Sequence, residues 1–177
     1  MKRELIVGGF VVICITGVFL SEMFLFRNDN QKSDSDAEGE NTKSVVENEV
    51  KLTINLDKTE FNPGENIDVN LVVQNLREEN VTFTFSSGYQ FDFVVYDGDS
   101  QVVCSWSDDK GFIQAITHFS LGPGESRNWV GSWNQTVYNG LTGEYLPISS
   151  GTYYLRGILV GYLETPSLGI TISQFSS

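Results

Sequence analysis

Positive charge is scarce in this sequence. It has 11 lysines and arginines against 23 aspartates and glutamates, a formal net charge of -12. A surface of that sign does not gather phosphates, so nucleic acid is not expected as a partner. Adhesion to anionic lipid is disfavoured as well, apart from Lys2 and Arg3 at the very start. Cysteine is nearly absent: Cys14 falls in an apolar opening stretch and Cys104 in an expected strand, so no disulfide framework supports the fold. Cys104 reads as a small buried apolar residue, because no neighbouring positive charge in sequence would activate its thiol.

The sole histidine, His118, lies in the expected strand 114–121 with no Ser-His-Asp spacing around it, and reads as an ordinary strand residue. The carboxylate pairs Asp97/Asp99 and Asp108/Asp109 are adjacent turn residues that lack the closing glutamate of a calcium loop. There is no phosphate-cradling glycine loop and no Cys/His cluster of metal-binding spacing. The expectation is a protein that is not an enzyme, with no catalytic residue, no cofactor, no metal and no small-molecule substrate. No stretch beyond residue 50 holds a helical period, which removes a βαβ architecture.

What is present divides the chain in three. Residues 1–26 open with Lys2 and Arg3, run without charge from Leu5 to Leu20, and extend through Met23, Phe24, Leu25 and Phe26 after a break at Ser21 and Glu22. As a helix, residues 5–26 rise about 33 Å, against a hydrocarbon core of roughly 30 Å. The rival reading is a cleaved signal peptide, but the surroundings of Phe19, Leu20 and Ser21 lack the small-x-small pattern of a cleavage site. An uncleaved signal anchor is therefore expected, with the amino terminus in the cytoplasm and the rest outside the cell. Residues 27–49 are polar and acidic, with few apolar residues before Val45 and Val46, and read as a flexible tether of roughly 25–30 Å end to end.

Residues 50–177 form the expected folded domain. Val50, Leu52, Ile54 and Leu56 alternate with polar residues, and Asn62-Pro63-Gly64-Glu65 has turn chemistry. Ile67, Val69, Leu71 and Val73 alternate next, followed by Val81, Phe83 and Phe85. Phe91, Phe93 and Val95 then make an aromatic face opposite a mixed face of Asp92, Val94 and Tyr96. Asp97-Gly98-Asp99-Ser100 turns the chain into a strand carrying Val102, Cys104 and Trp106. With 153–160 and 168–172 the count reaches eight or nine strands, separated by turn signals about every ten residues, as in a β-sandwich. Trp129 and Trp133 stand four apart and so share a face.

The order of these pieces is specific as a set. Asn-Pro-Gly-Glu is followed by a strand ending at Asn75, then Phe91-Asp92-Phe93, Trp106-Ser107, Phe112 with Gln114-Ala115, Leu121-Gly122-Pro123-Gly124-Glu125, Trp133 and Gly151-Thr152-Tyr153. This series resembles the BsuPI family, bacterial intracellular proteinase inhibitors with an immunoglobulin-like sandwich. The resemblance spans about residues 50–160 and implies an all-β, immunoglobulin-like antiparallel β-sandwich. It further implies a protein partner, a serine protease of the subtilisin type. There are two departures. The anchor would export a domain whose namesake works in the cytoplasm, and residues 134–150 make a longer connection than the family pattern.

The candidate protein-binding surface comprises Phe112, in an aromatic patch, and Tyr138, Leu141 and Tyr145 in the 134–150 connection. That connection is either a partner-binding loop on a rigid scaffold or a cover folded over the end of the sandwich. The aromatic motif residues otherwise read as core, and Ser107-Asp108-Asp109-Lys110-Gly111 as a turn that caps backbone amides. Asn80 and Asn134 head sequons open to glycosylation outside the cell. A surface structural domain that assembles the cell envelope, with no protease target, is the alternative to inhibition.

Overall fold

The computed structural model describes residues 38–174. The expected anchor, 1–26, and the start of the tether lie outside them, as do the last three residues. Among the described residues no helix is long and apolar enough to cross a membrane, and the secondary structure is strands joined by turns.

Two sheets hold the core. The first runs in the order β1 (Thr42–Glu47), β2 (Val50–Asn55), β4 (Ile67–Asn75), β9 (Ser126–Trp133), all antiparallel. The second runs β3 (Glu60–Phe61), β14 (Leu168–Ile172), β12 (Gly151–Leu159), β6 (Phe91–Tyr96), β7 (Val102–Ser105), with β13 (Leu163–Glu164) beside β12. Only the short β3 pairs in parallel. Two hairpins complete the set: β5 (Val81–Phe85) with β8 (Thr117–Leu121), and β10 (Thr136–Asn139) with β11 (Glu144–Pro147).

The period of two explains the core. Leu52, Ile54, Val69, Leu71 and Val73 point inward from the first sheet; Phe93, Val95, Leu155, Leu159 and Ile170 point inward from the second. The sheets approach so closely at Gly157 that a Cβ there would lie 2.2 Å from Leu71 Cδ1 and 3.3 Å from Ile54 Cβ. At Gly131 on β9 a Cβ would lie 2.7 Å from Phe93 Cε1 and from Trp106 Cδ1. Gly157→Ala overfills a packed interior, so its expected cost is about 2 kcal/mol. Thermal unfolding followed by circular dichroism would show that as a midpoint lower by about 5–8 °C.

Three expectations need correction. The polar segment ending at residue 49 is not tether to its end: Thr42–Glu47 is strand β1, paired along its length with β2. Asn48 and Glu49 turn the chain with φ of 49° and 58°, the positive values that a two-residue hairpin turn demands. Val45 lies opposite Leu52 and packs on the core, and Asn41 Nδ2 donates to the Leu56 carbonyl at 2.6 Å. One half-buried edge strand with a single core contact leaves little hydrophobic signal, which is why polarity alone suggests a spacer.

The strand count also rises, because β1, the two-residue β3 and β13, and the β10–β11 hairpin join those read from periodicity. Finally, the alternation Val102, Cys104, Trp106 is broken. A register shift at Val95/Tyr96 leaves Val102 exposed, and Trp106 falls just beyond β7 while still donating its amide to the Phe93 carbonyl at 3.0 Å.

Candidate functional site

Of the residues read as a protein-binding surface, Phe112, Tyr138 and Tyr145 lie near Trp106, and Leu141 stands at the tip of the hairpin that carries the two tyrosines. The 134–150 connection is a projecting β-hairpin. At its root, Gln135 is buried with φ of 58°, and its side chain grips the Asn62–Glu65 turn: Gly64 N–H donates to Oε1 at 2.8 Å, and Nε2 donates to the Asn62 carbonyl at 2.9 Å. Ile148 N–H donates to the Gln135 carbonyl, and Trp133 Nε1 donates to the Thr136 carbonyl at 3.0 Å. The root is thus tied to both flanks.

Above it, Tyr138 and Tyr145 face each other across the strands with ring centroids 5.3 Å apart, each 53% exposed. The tip is closed by Gly143, whose φ of 75° lets its N–H reach the Asn139 carbonyl at 2.8 Å. Asn139 Oδ1 accepts from the Leu141 amide at 2.9 Å and from the Thr142 amide at 3.4 Å. Leu141 stands on this fixed turn 98% exposed. The hairpin therefore projects its apolar tip and does not lay it over the body of the domain. A cleft of about 80 Å³ at its root is lined by Trp106, Trp133, Tyr138 and Tyr145. That is far below the roughly 300–1,000 Å³ of a small-molecule site, and about the size of one side chain.

The 111–116 loop also reaches Trp106. Phe112 is half-buried, its ring 4.8 Å from that of Tyr89 and 6.2 Å from that of Trp106. The expected exposed aromatic is thus the anchor of its loop, because these two rings give it a place to pack. Ile113 and Ile116 carry the exposure instead, at 66% and 75%. Periodicity does not single them out, although an isoleucine pair in a loop otherwise lacking charge was a signal available in the sequence.

Between Tyr89 and Ser107, Asp92 is 2% exposed on a face expected to be merely mixed. Its Oδ1 accepts from the amides of Phe93 at 2.8 Å and Ser107 at 3.2 Å; its Oδ2 accepts from Tyr89 OH at 2.5 Å and Ser107 Oγ at 2.6 Å. Burial first, and then the Asp92 hydrogen bond, push the Tyr89 phenol above its ordinary value. The 107–111 stretch caps itself as its composition suggests, with Asp108 accepting from the Ser105 amide at 2.7 Å.

Cys104 is a half-buried free thiol. Burial, followed by the nearby Asp108, Asp92 and Asp109, pushes it up to about 12. The folded thiol thus holds its proton where the unfolded one loses it. Cys104 contributes full stability below the ordinary thiol value near 9, and that contribution fades as pH climbs from there toward 12. Iodoacetamide at pH 8 is expected to leave folded Cys104 unmodified and to label it only after denaturation; rapid labelling of the folded protein would contradict the arrangement.

Asn80 and Asn134 are exposed, as their sequons require, and Thr136 Oγ1 donates to Asn134 Oδ1 at 2.7 Å. His118 lies exposed on β8, paired with Thr84. Among the described residues no group of three His, Cys, Asp or Glu side chains is placed to hold a metal ion.

The profile of the BsuPI family, described as intracellular proteinase inhibitor, matches residues 54–163, more than half of the chain and inclusive of both loops around Trp106. No curated protein matches the sequence. Among solved structures, a β-glucosidase from Listeria innocua in complex with gluconolactone is 15% identical over 72% of this chain and 16% of its own, with a TM-score of 0.46. A β-glucosidase from Erythrobacter marinus is 10% identical over 68% of this chain and 15% of its own, with a TM-score of 0.44. The alkylpurine DNA glycosylase of Pseudomonas fluorescens, bound to DNA containing an abasic site analog, is 13% identical over 71% of this chain and 31% of its own, with a TM-score of 0.43. The chain spans less than a third of each, and likeness of this degree assigns it no activity.

Proposed function

The chain belongs to the BsuPI family of intracellular proteinase inhibitors, and from that membership we propose that its domain is a non-enzymatic binding module that holds and inhibits a serine protease of the subtilisin type. The observation that supports this most is the hairpin β10–β11, which lifts Leu141 almost wholly into solvent on a turn fixed by Asn139 and Gly143. Exposing an aliphatic side chain on a rigid tip forgoes roughly 1.5–3 kcal/mol of burial, which a partner's apolar pocket restores. Tyr138 and Tyr145 supply broad contact area just below it at little entropic cost.

The proposal extends to fold and placement. The two facing sheets are taken as an immunoglobulin-like sandwich, consistent with their antiparallel pairing and shared core. Residues 5–26 are taken as an uncleaved signal anchor that holds the domain outside the membrane, on the strength of their length and the basic residues before them. The target is then an envelope or secreted protease.

The full chain, solubilised in detergent, is expected to reduce the activity of a secreted subtilisin-type protease to near zero at a few equivalents. Unchanged protease activity at large excess would reject inhibition. A surface assembly role is the second reading, supported by β1, which forms the outer edge of its sheet with Val46 exposed. Cross-links in intact membranes confined to copies of this chain would favour it. An impermeant label that fails to reach the domain in intact cells would reject the placement.

A further inference from the structure

We propose that Asn139, at the hairpin tip, is a site of spontaneous covalent modification: in the folded protein it cyclises onto the Gly140 backbone nitrogen and converts to aspartate and isoaspartate. This change does not depend on what the domain binds.

The nucleophile is marked by the sequence. Asn139 is the one asparagine in the chain that is followed by glycine. A side chain on the following residue crowds the approach of that residue's nitrogen to the asparagine Cγ, and glycine has none. At Asn62 the following residue is Pro63, whose nitrogen has no proton to lose. Gly140 is exposed, a Cβ built on it would meet nothing within 4 Å, and its N–H donates to no other described residue. The strand ladder ends one residue earlier, at the Asn139–Glu144 pair, so the Gly140 nitrogen is left free.

The same turn sets the electrophile. Asn139 Oδ1 accepts from the Leu141 amide at 2.9 Å and more weakly from the Thr142 amide at 3.4 Å. Attack on Cγ drives negative charge onto that oxygen, where the two amides already point, as donors do in an oxyanion hole. They also draw the carboxamide toward the residues that follow it, so a five-membered ring closes with little further ordering.

The Gly140 nitrogen gives its proton to a solvent base and bonds to Asn139 Cγ. The Cγ–Nδ2 bond breaks, and Nδ2 takes up a proton and leaves as ammonia, with a succinimide ring in place of the Asn139–Gly140 link. Water then opens the ring at either carbonyl carbon; nothing is oxidised or reduced, and water is the sole co-reactant. Opening to aspartate keeps acceptor oxygens for the amides of Leu141 and Thr142 and so retains the turn. Opening to isoaspartate routes the main chain through Cβ and Cγ, one atom longer. It also turns the carbonyl that accepts from Gly143 N–H at 2.8 Å into a carboxylate off the chain, and Leu141 loses its fixed position. Either product adds negative charge beside Glu144.

The test incubates the full chain, folded in detergent, in mildly alkaline buffer. Peptide mass spectrometry follows each asparagine by the mass gained when OH replaces NH2, and an isoaspartate-specific methyltransferase locates isoaspartate. Asn139 is expected to convert at least about tenfold faster than the exposed Asn134, a barrier lower by about 1.4 kcal/mol. Gly140→Ala is expected to slow the conversion at least about tenfold as well, with the thermal midpoint unchanged, because Gly140 is not in the left-handed region and its Cβ would stand in open space. Should that variant fold poorly, the comparison of Asn139 with Asn134 in the unaltered chain still decides. A smaller difference in either comparison overturns the inference. So does conversion of Asn139 only after denaturation in urea, which would mean that the folded turn shields the residue.

Discussion

Leu141→Asp is expected to weaken protease inhibition at least about 30-fold while leaving the thermal midpoint untouched. Burying one leucine contributes roughly 1.5–3 kcal/mol, equivalent to about 10–150-fold in a binding constant. Carrying a carboxylate into the same apolar pocket adds a desolvation cost. The tip loses nothing in the free protein, since Leu141 is 98% exposed and its position is set by backbone bonds from Asn139 and Gly143, not by its own side chain. That pre-organisation also limits the entropy lost on binding, so the tip is expected to act as a hot spot and not as one contact among many. The same turn carries a second expectation. Residues 140–143 are held in a tight reversal, so the Leu141–Thr142 peptide is not laid out straight as a cleavable segment would be. Mass spectrometry after prolonged incubation should find this bond intact while the protease stays inhibited. An inhibition constant for Leu141→Asp within threefold of the starting protein would remove the tip from the interface.

The parts of this molecule legible in the sequence are those set by neighbours two residues away. Val50, Leu52 and Ile54, then Ile67 through Val73, announce β2 and β4 by alternation, and their partners follow in register. The turns Asn62-Pro63-Gly64-Glu65 and Gly122-Pro123-Gly124-Glu125 are legible for a local reason as well: in each, the last glutamate accepts the amide of the first residue, at 3.0 Å and 2.7 Å. What escapes is set by residues far along the chain. Gln135 reads as the middle of a sequon, yet it holds a turn 71 residues before it. Period two places Asp92 on the face opposite Phe93, but it cannot say that Ser107 and Tyr89 will close over that face. Tyr138, Leu141 and Tyr145 stand exposed in a connection whose length singles it out, whereas the half-burial of Phe112 depends on two rings brought in from elsewhere.

Asp92 is where that hidden long-range order can be broken with one substitution. Asp92→Ala removes the acceptor shared by Tyr89 OH, Ser107 Oγ and the amides of Phe93 and Ser107, and leaves these donors in a site only 2% open to water. Stranding several buried donors costs more than losing one bond, so about 3 kcal/mol of stability is expected to go, with a midpoint lower by about 8–12 °C. Asp92→Asn keeps one acceptor oxygen and nearly the same volume, so its loss should be about half as large. The damage is also expected to be directional. Tyr89 and Ser107 position the Phe112 ring and the 105–110 turn, so amides 105–113 should exchange with deuterium faster in the alanine variant, well before β2 and β4 are affected. Uniform acceleration across both sheets would mean that Asp92 supports the whole core and not only the turn and loop held through Tyr89 and Ser107. Protection unchanged throughout would mean that water replaces the carboxyl group without penalty, and that Asp92 is not what holds residues 105–113 in place.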